Sequence, residues 1–250
     1  MISMQRKDGG VALLCLARGV TNAFNLELVN ALSDGLARVR EDAEIRGLVL
    51  TSEQDKFFSI GFDIPELFRL PRPQFEEFYS RFNRLCLDLL TLPKPTIASI
   101  TGHAIAGGCI LALCCDHRFI ADGRKLIGLN EIKLGVPVPY IADCILRQLV
   151  GVVDAQELEE GGDFLPPKRA QDMGLVDQVL ALSGVTAMAV ERCAALGALP
   201  AAAFAMVKRN RVQPVEEQAA ANLEERQRYF VDCWYADDTR ARLEAAMEKF

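Results

Sequence analysis

The chain alternates two kinds of segment, and that alternation limits its fold more than any other feature. Val11–Leu16, Gly47–Thr51 and Thr96–Ile100 are short runs of residues suited to burial on both faces, and each reads as a strand. Between them lie stretches with helical spacing. Leu28, Val29, Leu32, Leu36 and Val39 fall on one face of a helix over Leu26–Glu41, with Asn25 placed to cap it. Phe75, Phe78, Phe82, Leu85, Leu89 and Leu92 recur in steps of three and four, and Pro93 and Pro95 end that helix. Strands that alternate with helices make an α/β core with parallel pairing.

The pattern changes along the chain. Cys109–Cys115 is apolar throughout, so periodicity leaves helix and strand open. Asp116–Ala121 and Leu126–Leu129 read as strands around a turn at Asp122-Gly123. Beyond Ile141 the spacing is helical: Asp154–Glu160, Lys168–Met173, Val185–Leu196, Ala201–Arg211 and Val215–Tyr235 are expected helices, interrupted by one strand at Val176–Val179. The expected organisation is a core over residues 1–195 and a helical C-terminal region over residues 196–250 that packs on a neighbouring subunit.

With 250 residues, half of them hydrophobic, the chain can bury a substantial core. Its net charge of −6 argues against a nucleic-acid partner and against an anionic membrane surface, while leaving room for an anionic small ligand. The eight cysteines lack zinc-site spacing and sit mostly in apolar runs, as buried thiols in a reducing compartment do. No metal site or bound cofactor is expected. The N-terminus has no apolar signal core, and no run approaches a membrane span, so a soluble cytoplasmic protein is expected.

Three segments are unusual for a purely structural core. In Phe57-Phe58-Ser59-Ile60-Gly61-Phe62-Asp63-Ile64, a glycine precedes a helix start, where free N–H groups can face an anion. A tight turn is the plainer explanation of the same residues. Thr101 to Cys109 carries Gly102, Gly107 and Gly108 ahead of an apolar run and again exposes N–H groups, although a simple strand–helix connection has the same look. In Leu126 to Pro137, Glu131 is a lone carboxylate among apolar residues and glycines. Burial there would raise its pKa and suit it to general-base work, whereas exposure or pairing with Lys133 would leave it inert. His103 reads as a turn residue, and Asp116, Arg118 and Asp122 as a polar clasp around a strand. No hydrolase elbow, dinucleotide fingerprint or phosphate loop is present.

Taken in order, these segments resemble the crotonase (enoyl-CoA hydratase/isomerase) superfamily. The matching stretches are Asn22-Ala23-Phe24-Asn25, Phe58–Ile64, Gly102–Cys109 with Asp116-His117-Arg118, and Gly128-Leu129-Asn130-Glu131 with Leu134-Gly135. The likeness covers most of residues 10 to 180. It implies a spiral of ββα units with a helical extension, assembled as a homotrimer or a dimer of trimers, and an acyl-CoA thioester as substrate. It also implies an oxyanion hole made by the backbone N–H groups of Phe62 and Gly107, with Glu131 as the catalytic carboxylate. By the same resemblance, Ile60, Gly61, Asp63, Ile64, Ala106, Gly108, Ile110 and Asn130 bind substrate.

One departure from the family pattern is informative. The hydratases use two glutamates, and the position of the first, directly after Cys109, holds Ile110. An aliphatic side chain cannot hold water or exchange a proton. The string Ile127-Gly128-Leu129-Asn130-Glu131 looks most like the 3,2-trans-enoyl-CoA isomerases of fatty-acid oxidation, whose 1,3-proton shift needs one carboxylate. Phe62, Ile110, Val136 and Pro137 are expected to line a dry acyl pocket, and Arg18 and Lys56 lie near segments that contact CoA in relatives. Hydration, other acyl-CoA chemistry and a non-catalytic acyl-CoA- or RNA-binding role are the competing expectations.

Overall fold

The computed structural model describes residues 1–248. In chain order its elements are β1 (Ile2–Lys7), β2 (Val11–Leu16), α1 (Leu26–Glu41), β3 (Gly47–Ser52), β4 (Phe57–Ser59), α2 (Ile64–Leu67), α3 (Arg72–Leu90), β5 (Thr96–Ile100), β6 (His103–Ile105), α4 (Gly107–Leu113), β7 (His117–Ala121), β8 (Ile127–Gly128), α5 (Glu131–Leu134), α6 (Tyr140–Val150), α7 (Val152–Gly161), β9 (Phe164–Leu165), α8 (Pro167–Asp172), β10 (Gln178–Leu180), α9 (Leu182–Gly197), α10 (Ala201–Trp234) and α11 (Asp237–Met247).

The strands sort into two sheets by a simple rule. In each of the units β3-β4, β5-β6 and β7-β8, the first strand joins a six-stranded sheet ordered β1-β2-β3-β5-β7-β10. The second joins a four-stranded sheet ordered β4-β6-β8-β9. Each pair is followed by a helix, which gives the expected ββα repeat. Neighbours from successive units pair in parallel, as in β3 on β5, β5 on β7, β4 on β6 and β6 on β8. The hairpin β1-β2 closes one end antiparallel.

Packing follows the apolar faces read from the sequence. Leu28, Val29, Leu32, Leu36 and Val39 of α1 are buried, with Asn25 capping the helix through the N–H of Leu28 at 2.9 Å. Phe75, Phe78, Phe82, Leu85 and Leu89 of α3 are buried in the same core.

The C-terminal region departs from expectation in two ways. The helices expected at Ala201–Arg211 and Val215–Tyr235 form one 34-residue helix that runs through Pro214. A proline removes one N–H and crowds the preceding turn, but tertiary contacts hold this one in register. Gln148 Nε2 donates to the Arg211 carbonyl at 2.9 Å, and Lys208 Nζ is buried against Asp116 at 2.9 Å, with Arg211 on the other carboxylate oxygen. The division expected at residues 195/196 falls inside α9. Phe230, Val231, Trp234 and Leu243 belong to the same hydrophobic core as β2, β3 and α3, so this part of the C-terminal region is continuous with the core of its own chain. Positions 249 and 250 of the expected C-terminal region lie outside the described residues.

Candidate active site

Strands β4, β6 and β8 lie side by side in the smaller sheet and run parallel. Shortly after each strand's C-terminal end comes one of the expected catalytic groups: Phe62 after β4, Gly107 after β6 and Glu131 after β8. Parallel neighbours stand about 4.8 Å apart. The sheet therefore delivers the two N–H groups and the carboxylate to one edge at a spacing that suits a small reacting centre.

The first donor is set by its neighbours. Gly61 has φ +88°, a left-handed value that a side chain resists. A Cβ built there would lie 2.8 Å from the Gly107 nitrogen and 3.0 Å from Ala106 Cβ, so only glycine allows the two turns to meet. The loop is clamped from the other side by Phe24, whose N–H donates to the Gly61 carbonyl at 2.7 Å and whose carbonyl accepts from the Asp63 N–H at 2.9 Å. Those bonds bracket Phe62. Among the described residues, no protein group takes up its N–H.

The second donor opens α4. Gly107 is its first residue, so its N–H has no acceptor within the helix. Ala106 before it sits at φ 49°, ψ −120°, a conformation that costs on the order of 1–3 kcal/mol for a residue with a side chain. That strain turns the chain sharply from β6 into α4 and presents the Gly107 N–H beside the Gly61-Phe62 turn.

Glu131 is 6% exposed and is the only titratable side chain lining the cavity of about 240 Å³ at this edge, among the described residues. Burial pushes its carboxyl up from 4.5 to about 7. The backbone N–H groups of Glu131 and Asn130 draw it part of the way back, and the charge of Glu159 adds to the rise. Its Oε2 is buried without a hydrogen-bond partner, as is Oδ1 of Asn130. Lys133 pairs with Asp163 and leaves Glu131 unpaired. The remaining walls are apolar. Ile60, Ile105, Ala106 and Phe164 stand near the mouth, and Val136, Phe230 and Trp234 form the buried end.

Ile60, Phe62, Ile64, Ala106, Gly107, Asn130 and Glu131 thus meet at one cavity. Gly61, Asp63, Gly108 and Ile110 do not line it. Gly61 backs the donor turn. Asp63 caps α2 through the Glu66 N–H at 3.1 Å and pairs with Arg18 at 2.7 Å, so its role is to hold the loop. Gly108 lies against the Ser59 carbonyl, where a side chain would clash. Ile110 is wholly buried and belongs to the main core. Pro137, expected in the acyl pocket, lines a neighbouring cavity. Arg18 is held by Asp63 and Glu66, and Lys56 Nζ lies 5.1 Å from the ring centre of Phe57. His103 does not line the cavity; its ring lies tilted against Phe57, with centroids 5.4 Å apart. Among the described residues, no group of three His, Cys, Asp or Glu is arranged to hold a metal.

Asn22 and Ser59 do structural work that residue type alone did not reveal. Asn22, at φ 49°, donates from Nδ2 to the Phe58 carbonyl at 3.0 Å and to Ser52 Oγ at 2.8 Å. Ser59 Oγ donates to the Asn22 carbonyl at 2.8 Å and accepts from the Gly61 N–H at 3.1 Å. The match of Asn22 to Asn25 with the family pattern was the one available signal.

The profile of the enoyl-CoA hydratase/isomerase family matches residues 6–250. Among curated relatives, the mouse mitochondrial enoyl-CoA delta isomerase 1 is 34% identical over 172 residues, which are 68% of this chain and 60% of the relative. The human protein of the same name is 32% identical over 192 residues, 76% of this chain and 64% of the relative. The matched region therefore spans a little over three-fifths of those relatives' length. The crystal structure of human mitochondrial delta3-delta2-enoyl-CoA isomerase superposes with a TM-score of 0.95 at 27% identity, covering 99% of this chain and 97% of that one. An enoyl-CoA hydratase from Bacillus anthracis superposes at 0.82 with 26% identity, covering 99% and 96%. By its sequence profile, its ββα architecture and the arrangement of its two turns, the chain belongs to the enoyl-CoA hydratase/isomerase family.

Proposed function

We propose that the protein is a 3,2-trans-enoyl-CoA isomerase. The thioester oxygen of a 3-enoyl-CoA accepts hydrogen bonds from the Phe62 and Gly107 N–H groups. The Glu131 carboxylate removes a proton from carbon 2, and the electron pair spreads over the dienolate, with the negative charge on the oxygen held between the two donors. The protonated Glu131 then returns the proton to carbon 4, giving the conjugated 2-trans-enoyl-CoA and restoring the carboxylate. Fixed main-chain donors suit this role because they need no reorganisation when the charge develops.

The observation that carries this reading is a single carboxylate in an otherwise apolar cavity. Hydration needs a second group to manage water, and the position where the hydratases hold one is Ile110, sealed in the core. The names of the mouse and human relatives agree with the isomerase assignment. Side-by-side assays with 3-enoyl-CoA and 2-enoyl-CoA test it: isomerisation should exceed water addition by at least about a hundredfold, in line with the contribution of one general acid–base group. Comparable rates would overturn it.

The pH profile is a further expectation. Glu131 acts as its carboxylate, and its pKa is about 7. The isomerase kcat/KM should therefore fall about tenfold per pH unit below 7 and level off above it. A profile flat between pH 5 and 9 would remove Glu131 from the role of base.

A further inference from the structure

The segment from Glu131 to Tyr140 is a wall one residue thick. Glu131, Val136 and Pro139 face the active-site cavity, while Ile132, Pro137, Val138 and Tyr140 face a second cavity of about 490 Å³ on the other side. In the short helix α5, successive residues point about 100° apart, which accounts for the split between Glu131 and Ile132. Among the described residues, Phe230 of α10 is the single residue that lines both spaces. It is 1% exposed, so it stands deep inside and not at a rim. Its ring is stacked on Tyr79, with centroids 4.0 Å apart.

The second space differs in character. Arg226 and Tyr229, one turn before and immediately before Phe230 on α10, line it together with Asp143, Arg147 and Glu159. Its walls are mixed, whereas those of the first cavity are apolar except at Asn130 and Glu131.

We propose that Phe230 is the end wall of the acyl cavity and sets the longest acyl chain the enzyme accepts, with the second cavity lying directly behind that ring. This rests on the isomerase reading for its substrate class, because it places the tail of a 3-enoyl group beyond Glu131 against Val136, Trp234 and Phe230. A cavity of about 240 Å³ that ends at this ring holds a short to medium chain. Each methylene that leaves water contributes about fourfold in affinity, and the gain stops when the chain meets a wall. Replacing the ring by a smaller side chain leaves a void that a longer tail fills.

The test measures two quantities on the intact protein: kcat/KM for 3-hexenoyl- to 3-dodecenoyl-CoA, and calorimetric affinity for the saturated acyl-CoAs of the same lengths. Wild type should gain affinity with each added carbon and then stop. Phe230→Ala should extend that limit by at least two carbons and raise the long-to-short ratio at least tenfold. Phe230→Leu, the milder change in case the alanine variant folds poorly, should move it in the same direction by less. Tyr229→Ala, which alters the second cavity alone, should leave the limit in place. An unchanged limit in both Phe230 variants, a wild type with no limit up to twelve carbons, or a limit moved by Tyr229→Ala overturns the proposal. If the binding limit moves as stated but no 3-enoyl-CoA is turned over, the isomerase reading fails and the wall stands. If turnover is normal and the limit stays fixed, the wall alone fails.

Discussion

Replacing Glu131 with glutamine should lower isomerase kcat by about a thousandfold or more, within the range general acid–base groups contribute, while the affinity for acyl-CoA changes by only a few fold. Glutamine keeps the shape and a hydrogen-bonding end but cannot take the proton from carbon 2. The same variant should be more stable than wild type at alkaline pH. The native carboxyl titrates at about 7 and the unfolded one near 4.5, so the native state binds its proton more tightly. Below pH 4.5 both states are protonated and the charge costs nothing. Between pH 4.5 and 7 the unfolded chain ionises while the native carboxyl holds its proton, so the penalty grows across that window and is on the order of 3 kcal/mol above pH 7, where the native protein carries the buried charge. Thermal melts of both proteins at pH 4 and pH 8 check the sign: the stability gap should open only at the higher pH. Near-normal turnover, or a glutamine variant less stable at pH 8, would count against the assignment.

Gly61→Ala should be nearly as damaging to catalysis by a different route. The new methyl group would sit 2.8 Å from the Gly107 nitrogen and 3.1 Å from the Ile105 carbonyl oxygen, on a residue held at φ +88°. Neither contact involves a flexible side-chain end, so the two donor turns must separate. Losing one oxyanion donor costs roughly a hundred- to a thousandfold in kcat. Gly123→Ala is the matched control. Its φ is +100°, but nothing lies within 4 Å of the added carbon. That variant should lose a little melting temperature and no activity. If the two alanine variants behave alike in kcat, the meeting of the two turns is not what holds the donors in place.

Strands β2, β3 and β5 of the larger sheet were legible because they are five or six residues long and buried throughout. Val11–Leu16 and Thr96–Ile100 appear at the expected boundaries, as does α1. In the smaller sheet only β8 was legible, inside the expected strand Leu126–Leu129; β4 and β6 are three residues each, too short to show a period. In the larger sheet, β1 has only two apolar residues, Ile2 and Met4, ahead of Gln5, Arg6 and Lys7, and carries too weak a pattern to read. The site residues were found through the order of family motifs, with Glu131 also marked by its apolar flanks. What that order could not convey was direction: whether Ile110 faces substrate or the core depends on how α4 docks, and the division of residues 131 to 140 between two cavities depends on where α10 packs. Alternation with period two or 3.6 describes faces within one element and is silent on which neighbour each face meets.

The three groups proposed to act on substrate come from three successive ββα repeats, and Phe24, which braces the first of them, comes from a fourth stretch before α1. No single repeat contains all three. Chemical competence is thus a property of the assembled small sheet, acquired together once segments separated by dozens of residues have docked, and it should vanish as a unit whenever that sheet comes apart.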